Sequence, residues 1–214
     1  MGLIPIGSAP ILTERIKALR TCILASASPR RKEILKNLGV EFEVFVTDVD
    51  ETCSLTDPCL LAEELAARKG RAALNALLQK GEDLTDRVLI ASDTTVSVDG
   101  VILGKPADEA DARRMLRMLR GRAHTVVSGI YLSLNGREAV SHAVTEVEFA
   151  PMTDEDVEYY LQTGEPFGKA GAYAIQGIAS AWIRGIKGDY FNVVGLPVYE
   201  MCALFLKNFQ ENFL

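Results

Sequence analysis

The stretch Cys22-Ile-Leu-Ala-Ser-Ala-Ser-Pro-Arg-Arg-Lys-Glu-Ile-Leu-Lys-Asn-Leu-Gly39 reads as a strand, a tight turn and a helix. Cys22 to Ala25 is a short apolar run of strand type. Ser28 suits an N-cap, and Pro29 fits the first helical position, where its missing N–H costs nothing. Ile34, Leu35 and Leu38 give an apolar helical face, and Gly39 is a natural stop. Arg30 and Arg31 then fall in the first helical turn. There the positive end of the helix dipole opposes a cation by about 0.3–1 kcal/mol. A polyanion placed at that point reverses the sign. Free N–H groups, the Ser26 and Ser28 hydroxyls and two guanidinium forks would all be aimed at it. Two solvated arginines are the plain alternative. If the arginines await a ligand, removing either weakens ligand use without destabilising the ligand-free fold.

Outward from this stretch the chain mixes strands and helices. Val40, Phe42, Val44 and Val46 alternate with other residues, as in a half-buried strand, and an acidic loop of Asp48, Asp50 and Glu51 follows. Pro58 to Gln79 reads as a long helix with Leu60, Leu61, Leu65 and Ala72 toward the core. Arg68 and Lys69 near its middle are most simply a solvent face. Val88 to Ala91 is a second apolar strand that ends at Ser92-Asp-Thr-Thr95. Asp93 therefore sits just past a strand end, where α/β folds place working groups. Its ordinary alternative is a turn cap.

Val96 and Val98 lead into Asp99-Gly100, a two-residue hairpin signal, and Val101 and Leu103 return to Gly104-Lys105-Pro106. Asp108 to Leu119 is an amphipathic helix closed by Gly121. Thr125 to Leu134 and Arg137 to Phe149 are long strands joined by Asn135-Gly136. Thr153 starts a helix with Asp156 placed for a capping box. Residues 164–177 and 188–195 read as loops, Trp182 and Ile183 as strand, and Pro197 to Asn208 as the closing helix. The pattern predicts a mixed α/β fold: an elongated, bent sheet flanked by helices.

The 214 residues are 48% hydrophobic, enough for one large domain or two small lobes. No apolar run reaches the roughly 18–20 residues of a membrane span. Residues 1–20 lack the order of a signal peptide and read as an N-terminal extension, either a tail or an extra helix from about Thr13 to Arg20. The net charge of −6 disfavours a general nucleic-acid binder and points local positive charge at a small anion. Cys22, Cys53, Cys59 and Cys202 show no C-x-x-C spacing and lie far from both histidines. Free thiols in a reducing, cytoplasmic setting are expected, without a zinc site.

Six blocks stand in order: Ser26-Ala-Ser-Pro-Arg-Arg31, Ser92-Asp-Thr-Thr-Val96, Gly104-Lys-Pro106, Gly164-Glu-Pro166 with Lys169-Ala-Gly-Ala-Tyr173, Gln176-Gly177, and Gly188-Asp-Tyr-Phe-Asn-Val-Val-Gly-Leu-Pro197. From about Ile23 onward their order and spacing resemble the Maf family. The resemblance implies one domain over residues 21–214, with two lobes and a cleft between them. It implies a nucleoside triphosphate pyrophosphatase that uses a divalent metal, usually magnesium. The Lys169 to Tyr173 block with Gln176-Gly177 is similar to the branch acting on dTTP and UTP. That branch usually has Asp before the lysine and Gly after the tyrosine. Gly168 and Ala174 stand here, which predicts looser base selection with leakage to CTP.

By the same resemblance Asp93 is the general base, with Lys105, Glu33 and Lys69 in the catalytic set. Asp93 and Glu33, with the acidic loop as a further source, would hold the metal. Ser26, Ser28, Arg30, Arg31, Thr94, Lys169 and Gln176 would bind substrate. Gln176 both donates and accepts, so it can match the O4 and N3–H edge of uracil or thymine. A homodimer is implied, as is a methyltransferase-like domain following in a longer chain. The competing reading is a regulatory module that senses a nucleotide or binds nucleic acid.

Overall fold

In the computed structural model, which describes residues 21–209, seven strands form one mixed sheet. They are β1 (Thr21–Leu24), β2 (Glu41–Val44), β3 (Val88–Val98), β4 (Val101–Leu103), β5 (Ala123–Leu134), β6 (Arg137–Phe149) and β7 (Ile183–Lys187). The helices are α1 (Pro29–Asn37), α2 (Pro58–Gln79), α3 (Glu109–Leu119), α4 (Asp154–Gln162), α5 (Tyr190–Val194) and α6 (Val198–Phe209). The expected helix over 13–20 lies outside the described residues.

The sheet order is β2-β1-β3-β5-β6-β7, with β4 paired to β3. β1 runs parallel to both β2 and β3, and the remaining pairs are antiparallel. Both predicted hairpins form. Asp99 and Gly100, and again Asn135 and Gly136, take positive φ at consecutive positions, as the favoured two-residue turns require. The Thr153–Asp156 capping box is complete.

Several secondary-structure expectations fail for tertiary reasons, and Trp182, expected in a strand, lies in a 3-10 turn just before β7. Ser92 to Thr95 is not a strand end: β3 runs unbroken for 11 residues, and Asp93 sits in its middle. The second loop contains a short helix, α5. β2 is an edge strand rather than half-buried, with Val44 41% and Val46 54% exposed.

β3, β5 and β6 are long enough to cross two core regions, which become two lobes sharing one sheet. In the inner lobe, strand alternation splits β3 between faces. Ile90 packs with Leu24, Leu35, Leu132, Met201 and Phe205 under α1 and α6. Leu89 and Ala91 face α2, with Ile23, Ala66, Ala73 and Tyr131. The outer lobe packs Leu103, Met115, Leu116, Val126, Val147, Phe149 and Tyr160 beneath α3 and α4.

α2 buries small residues, Ala62, Ala66, Ala67, Gly70 and Ala73, with Leu65 and Leu77. Leu60 is exposed and Ala72 only half-buried, unlike the sequence reading. The reason is close approach to the sheet. A Cβ on Gly129 would lie 2.1 Å from the Ala62 carbonyl oxygen, so only glycine lets β5 touch the helix backbone. That seating brings Lys69 of α2 against Asp93 of β3.

Candidate active site

One strand edge makes the cleft. β1 pairs with β3 only as far as Leu24 opposite Ile90, and β4 joins the same edge only from Val96. Among the described residues, Ala91 to Thr95 therefore have no strand partner on that side. The cleft there has a volume of about 400 Å³. Its inner wall is the turn and first helical turn from Ala25 to Arg31, and its roof includes Asp48 and Glu51. Lys105, Lys169, Tyr173 and Ala174 come from the outer lobe.

A chain of alternating charge crosses this space. Lys69 Nζ donates to Asp93 Oδ1 and lies 2.9 Å from Glu51 Oε1. Glu51 Oε2 lies 3.5 Å from Lys105 Nζ. Burial raises the Glu51 pKa, but Lys69 and Lys105 outweigh it and hold the carboxyl below its ordinary value.

The two arginines of the opening stretch do not behave alike. Arg31 is buried, and its guanidinium donates to Gly195 O at 2.7 Å, Ser26 Oγ at 3.0 Å and Thr94 Oγ1 at 3.1 Å. Thr94 Oγ1 also shares a 2.8 Å bond with Ser128 Oγ, which donates to Asn192 O. Arg31 thus ties α1, β3 and the 188–195 segment together. This corrects the expectation that its removal leaves the ligand-free fold intact. Arg30 is half-buried and makes one longer bond, Nε to Val194 O at 3.3 Å. Ser28 holds the N-cap position but makes no capping bond, so the first-turn N–H groups of α1 have no side-chain cap.

Charge in the cleft is under-compensated. Arg30, Arg31 and Lys169 form no ion pair with the described residues. Burial lowers the pKa of all three. Arg30 lowers Arg31 and Lys169 further by repulsion, although Asp93 and Glu51 pull Arg31 back up. Cations crowded this way are relieved by an anion.

Most of the site residues named from sequence converge. Ser26, Ser28, Arg30, Arg31, Lys69, Asp93, Thr94, Lys105 and Lys169 all line the cleft. Glu33 does not: it is exposed on α1 and outside the lining. Buried Arg31 points inward, and Glu33, two residues on and about 200° round the helix, faces solvent. The second carboxylate is Glu51, which sequence reasoning reached only as part of an acidic loop. Its signal was position, a carboxylate in the loop following a parallel strand. Gln176 is exposed and lies just beyond the lining, while its neighbours Ala174 and Ile175 are in it. The divergent Gly168 and Ala174 both line the cleft.

Behind the wall, Tyr173 OH bonds His124 Nε2 at 2.7 Å, and Phe149 packs edge-on against both rings. His124 is 3% exposed, and burial lowers its pKa to about 4. An unfolded histidine titrates near 6.5. Between those values the unfolded chain takes up a proton that the fold refuses, so stability falls as pH drops from about 6.5 to 4. The gap corresponds to roughly 3 kcal/mol. Urea melts across this range should show a steeper loss for the native protein than for His124→Gln. Parallel pH profiles would remove His124 from the linkage.

A mixed sheet with cations gathered round three carboxylates, Asp48, Glu51 and Asp93, at an open strand edge defines an α/β protein with an anion-accepting cleft. The family model described as Maf-like protein matches residues 21–208, and the chain belongs to that family. It is 47% identical over 183 residues to the dTTP/UTP pyrophosphatase of Symbiobacterium thermophilum, covering 85% of this chain and 91% of that one. It is 45% identical to the dTTP/UTP pyrophosphatase of Alkaliphilus metalliredigens, covering 90% and 98% of the two chains. Among solved structures, the Staphylococcus aureus Ham1 protein aligns with a TM-score of 0.42 and 21% identity, over 61% of this chain and 72% of that one.

Proposed function

We propose that the protein is a nucleoside triphosphate pyrophosphatase that cuts dTTP and UTP between the α- and β-phosphates. The observation that carries this reading is the set of three cations without ion pairs among the described residues, Arg30, Arg31 and Lys169, facing the Asp93–Lys69–Glu51–Lys105 chain. The names of its relatives point the same way.

In this reading Asp93 takes the proton of a water that attacks the α-phosphorus. The P–O bond to the β-phosphate breaks, and its electron pair leaves with pyrophosphate. Lys105, Arg30 and the α1 N-terminus hold the charge that collects on the leaving group. Lys69 orients Asp93 through their hydrogen bond.

The donor set suits a divalent ion. Asp93 and Glu51 already converge on one cation, the Lys69 ammonium. No cluster of three or more possible metal-ligating side chains exists among the described residues. Magnesium needs only one or two carboxylates, taking its other ligands from phosphate and water. Asp93 and Glu51 would hold it, in place of the expected Asp93 and Glu33. Bound there, it would neutralise phosphate oxygens as charge develops.

A homodimer in the cytoplasm accompanies this reading. Cys22, Cys53 and Cys59 are free thiols, which fits a reducing compartment, and among the described residues no helix is long and apolar enough to cross a membrane.

The test is pyrophosphate release from a panel of triphosphates with magnesium. dTTP and UTP should lead, CTP should follow, and purine triphosphates including 7-methyl-GTP should be poor. Single phosphate release, or no turnover, would leave the nucleotide-sensing reading in its place. Gln176→Ala should change the ratio of kcat/KM between bases more than the rate on the best substrate. A site built to bond a base edge loses most when that bond goes unmade. Equal slowing on every substrate would end its assignment to base selection.

A further inference from the structure

Glu51 stands in a loop, yet its carboxylate reaches two lysines, one on α2 and one in the loop after β4. Residues 45–56, between β2 and α2, carry no regular structure. Something must fix the backbone on either side of Glu51 for its side chain to hold that aim. Arg68 does so. Its Nη1 donates to the Asp50 carbonyl at 2.7 Å and to the Thr52 carbonyl at 3.0 Å, the two peptide oxygens that flank Glu51. Its Nη2 is held 3.1 Å from Glu64 Oε1, one turn earlier on α2. Asp50 Oδ1 accepts from the Thr52 N–H at 2.8 Å and tightens the same bend.

We propose that Arg68 is a positioning residue, which clamps the 50–52 backbone so that the Glu51 carboxylate faces Lys69 and Lys105. The sequence gives it no distinction from a solvated arginine beside Lys69. The helix makes the difference. Adjacent residues on α2 point about 100° apart. Lys69 enters the cleft while Arg68 reaches the loop above it. One helical segment thereby fixes both Asp93, through Lys69, and Glu51, through Arg68. A fork with several fixed donors suits two carbonyls and a carboxylate at once.

The kinetic half of the test rests on the pyrophosphatase reading, and the structural half does not. Arg68→Ala should lower kcat/KM for dTTP with magnesium on the order of tenfold to a hundredfold, the usual scale for displacing a reacting group by about 1 Å. In a Glu51→Gln background the same change should cost less than about twofold, because the two act through one group. Arg71→Ala is the control. Arg71 lies on the same helix and pairs with exposed Glu138 at 2.9 Å, away from the loop, and its loss should change nothing.

Backbone order parameters of Glu51 and Thr52 should fall in Arg68→Ala from rigid values near 0.85 and stay put in Arg71→Ala. Equal losses in the presence and absence of the Glu51 carboxylate would overturn the inference. So would wild-type turnover in Arg68→Ala, unchanged order parameters, or an Arg71→Ala variant that behaves the same. A wild-type protein inactive on every triphosphate would instead sink the pyrophosphatase reading. The order parameters would then decide the role of Arg68 alone.

Discussion

Asp93→Asn is expected to lower kcat at least about a hundredfold while the protein stays folded, the scale seen when a general base is lost. The substitution keeps the shape of the side chain, and the remaining carbonyl oxygen can still accept from Lys69. Lys69 also retains Glu51 at 2.9 Å, so no buried charge is stranded. What disappears is the ability to take a proton from water. Asp93 is only 9% exposed and lies at the one stretch of β3 that lacks a strand partner on the cleft side. Its backbone is therefore fixed by β5 while its side chain meets the substrate space. Steady-state pyrophosphate release, with circular dichroism on the same samples, checks the outcome. A well-folded variant with near wild-type turnover would confine Asp93 to a structural role.

Arg31→Ala is expected to destabilise the ligand-free protein by about 3 kcal/mol. Three charge-assisted hydrogen bonds are lost, and bonds to charged groups contribute roughly 1.5–3 kcal/mol each. Relief of the buried guanidinium's desolvation offsets part of that sum. Ser92 Oγ still donates to Gly195 O at 3.0 Å, so that carbonyl keeps one partner. The Ser26 hydroxyl keeps the Ser28 N–H at 3.3 Å and Thr94 keeps Ser128 at 2.8 Å, so each loses only the guanidinium donor. For a chain of this size each kcal/mol moves the melting temperature by roughly 2–4 °C, so a fall of about 6–12 °C should follow. Arg30→Ala should shift the melt far less, because its single bond is long and partly exposed. Thermal melts without nucleotide make the comparison. If Arg31→Ala melts like the native protein, Arg31 is a free ligand-binding cation and not a tie.

These two residues show how far a linear reading carries. Local rules placed Pro29 at the start of α1, Gly39 after its end, both hairpins and the Thr153 capping box, because each depends on backbone chemistry within a few residues. The boundaries of α2 were also legible, since Pro58 and the long apolar pattern act locally. Its buried face was not. Gly129 and Gly70 let the helix sink onto β5 and Tyr131, which buries alanines and leaves Leu60 outside.

The sequence by itself determined the mixed α/β class and the ordered blocks that bring Ser26, Arg30, Asp93, Lys105 and Lys169 into consideration. Only the tertiary structure decided that Asp93 lies within a continuous strand, with its edge opened where β1 stops and β4 has not begun. It also decided which carboxylate accompanies Asp93. Glu33 is close to Arg30 in sequence, but the helix turns it to solvent, whereas Glu51 is brought in by a loop held from α2. Arg31 reads as a liability against the helix dipole when the helix stands alone. In the fold, acceptors from Ser26, Thr94 and Gly195 meet its guanidinium, and a contact spanning 164 residues outweighs the local electrostatic cost.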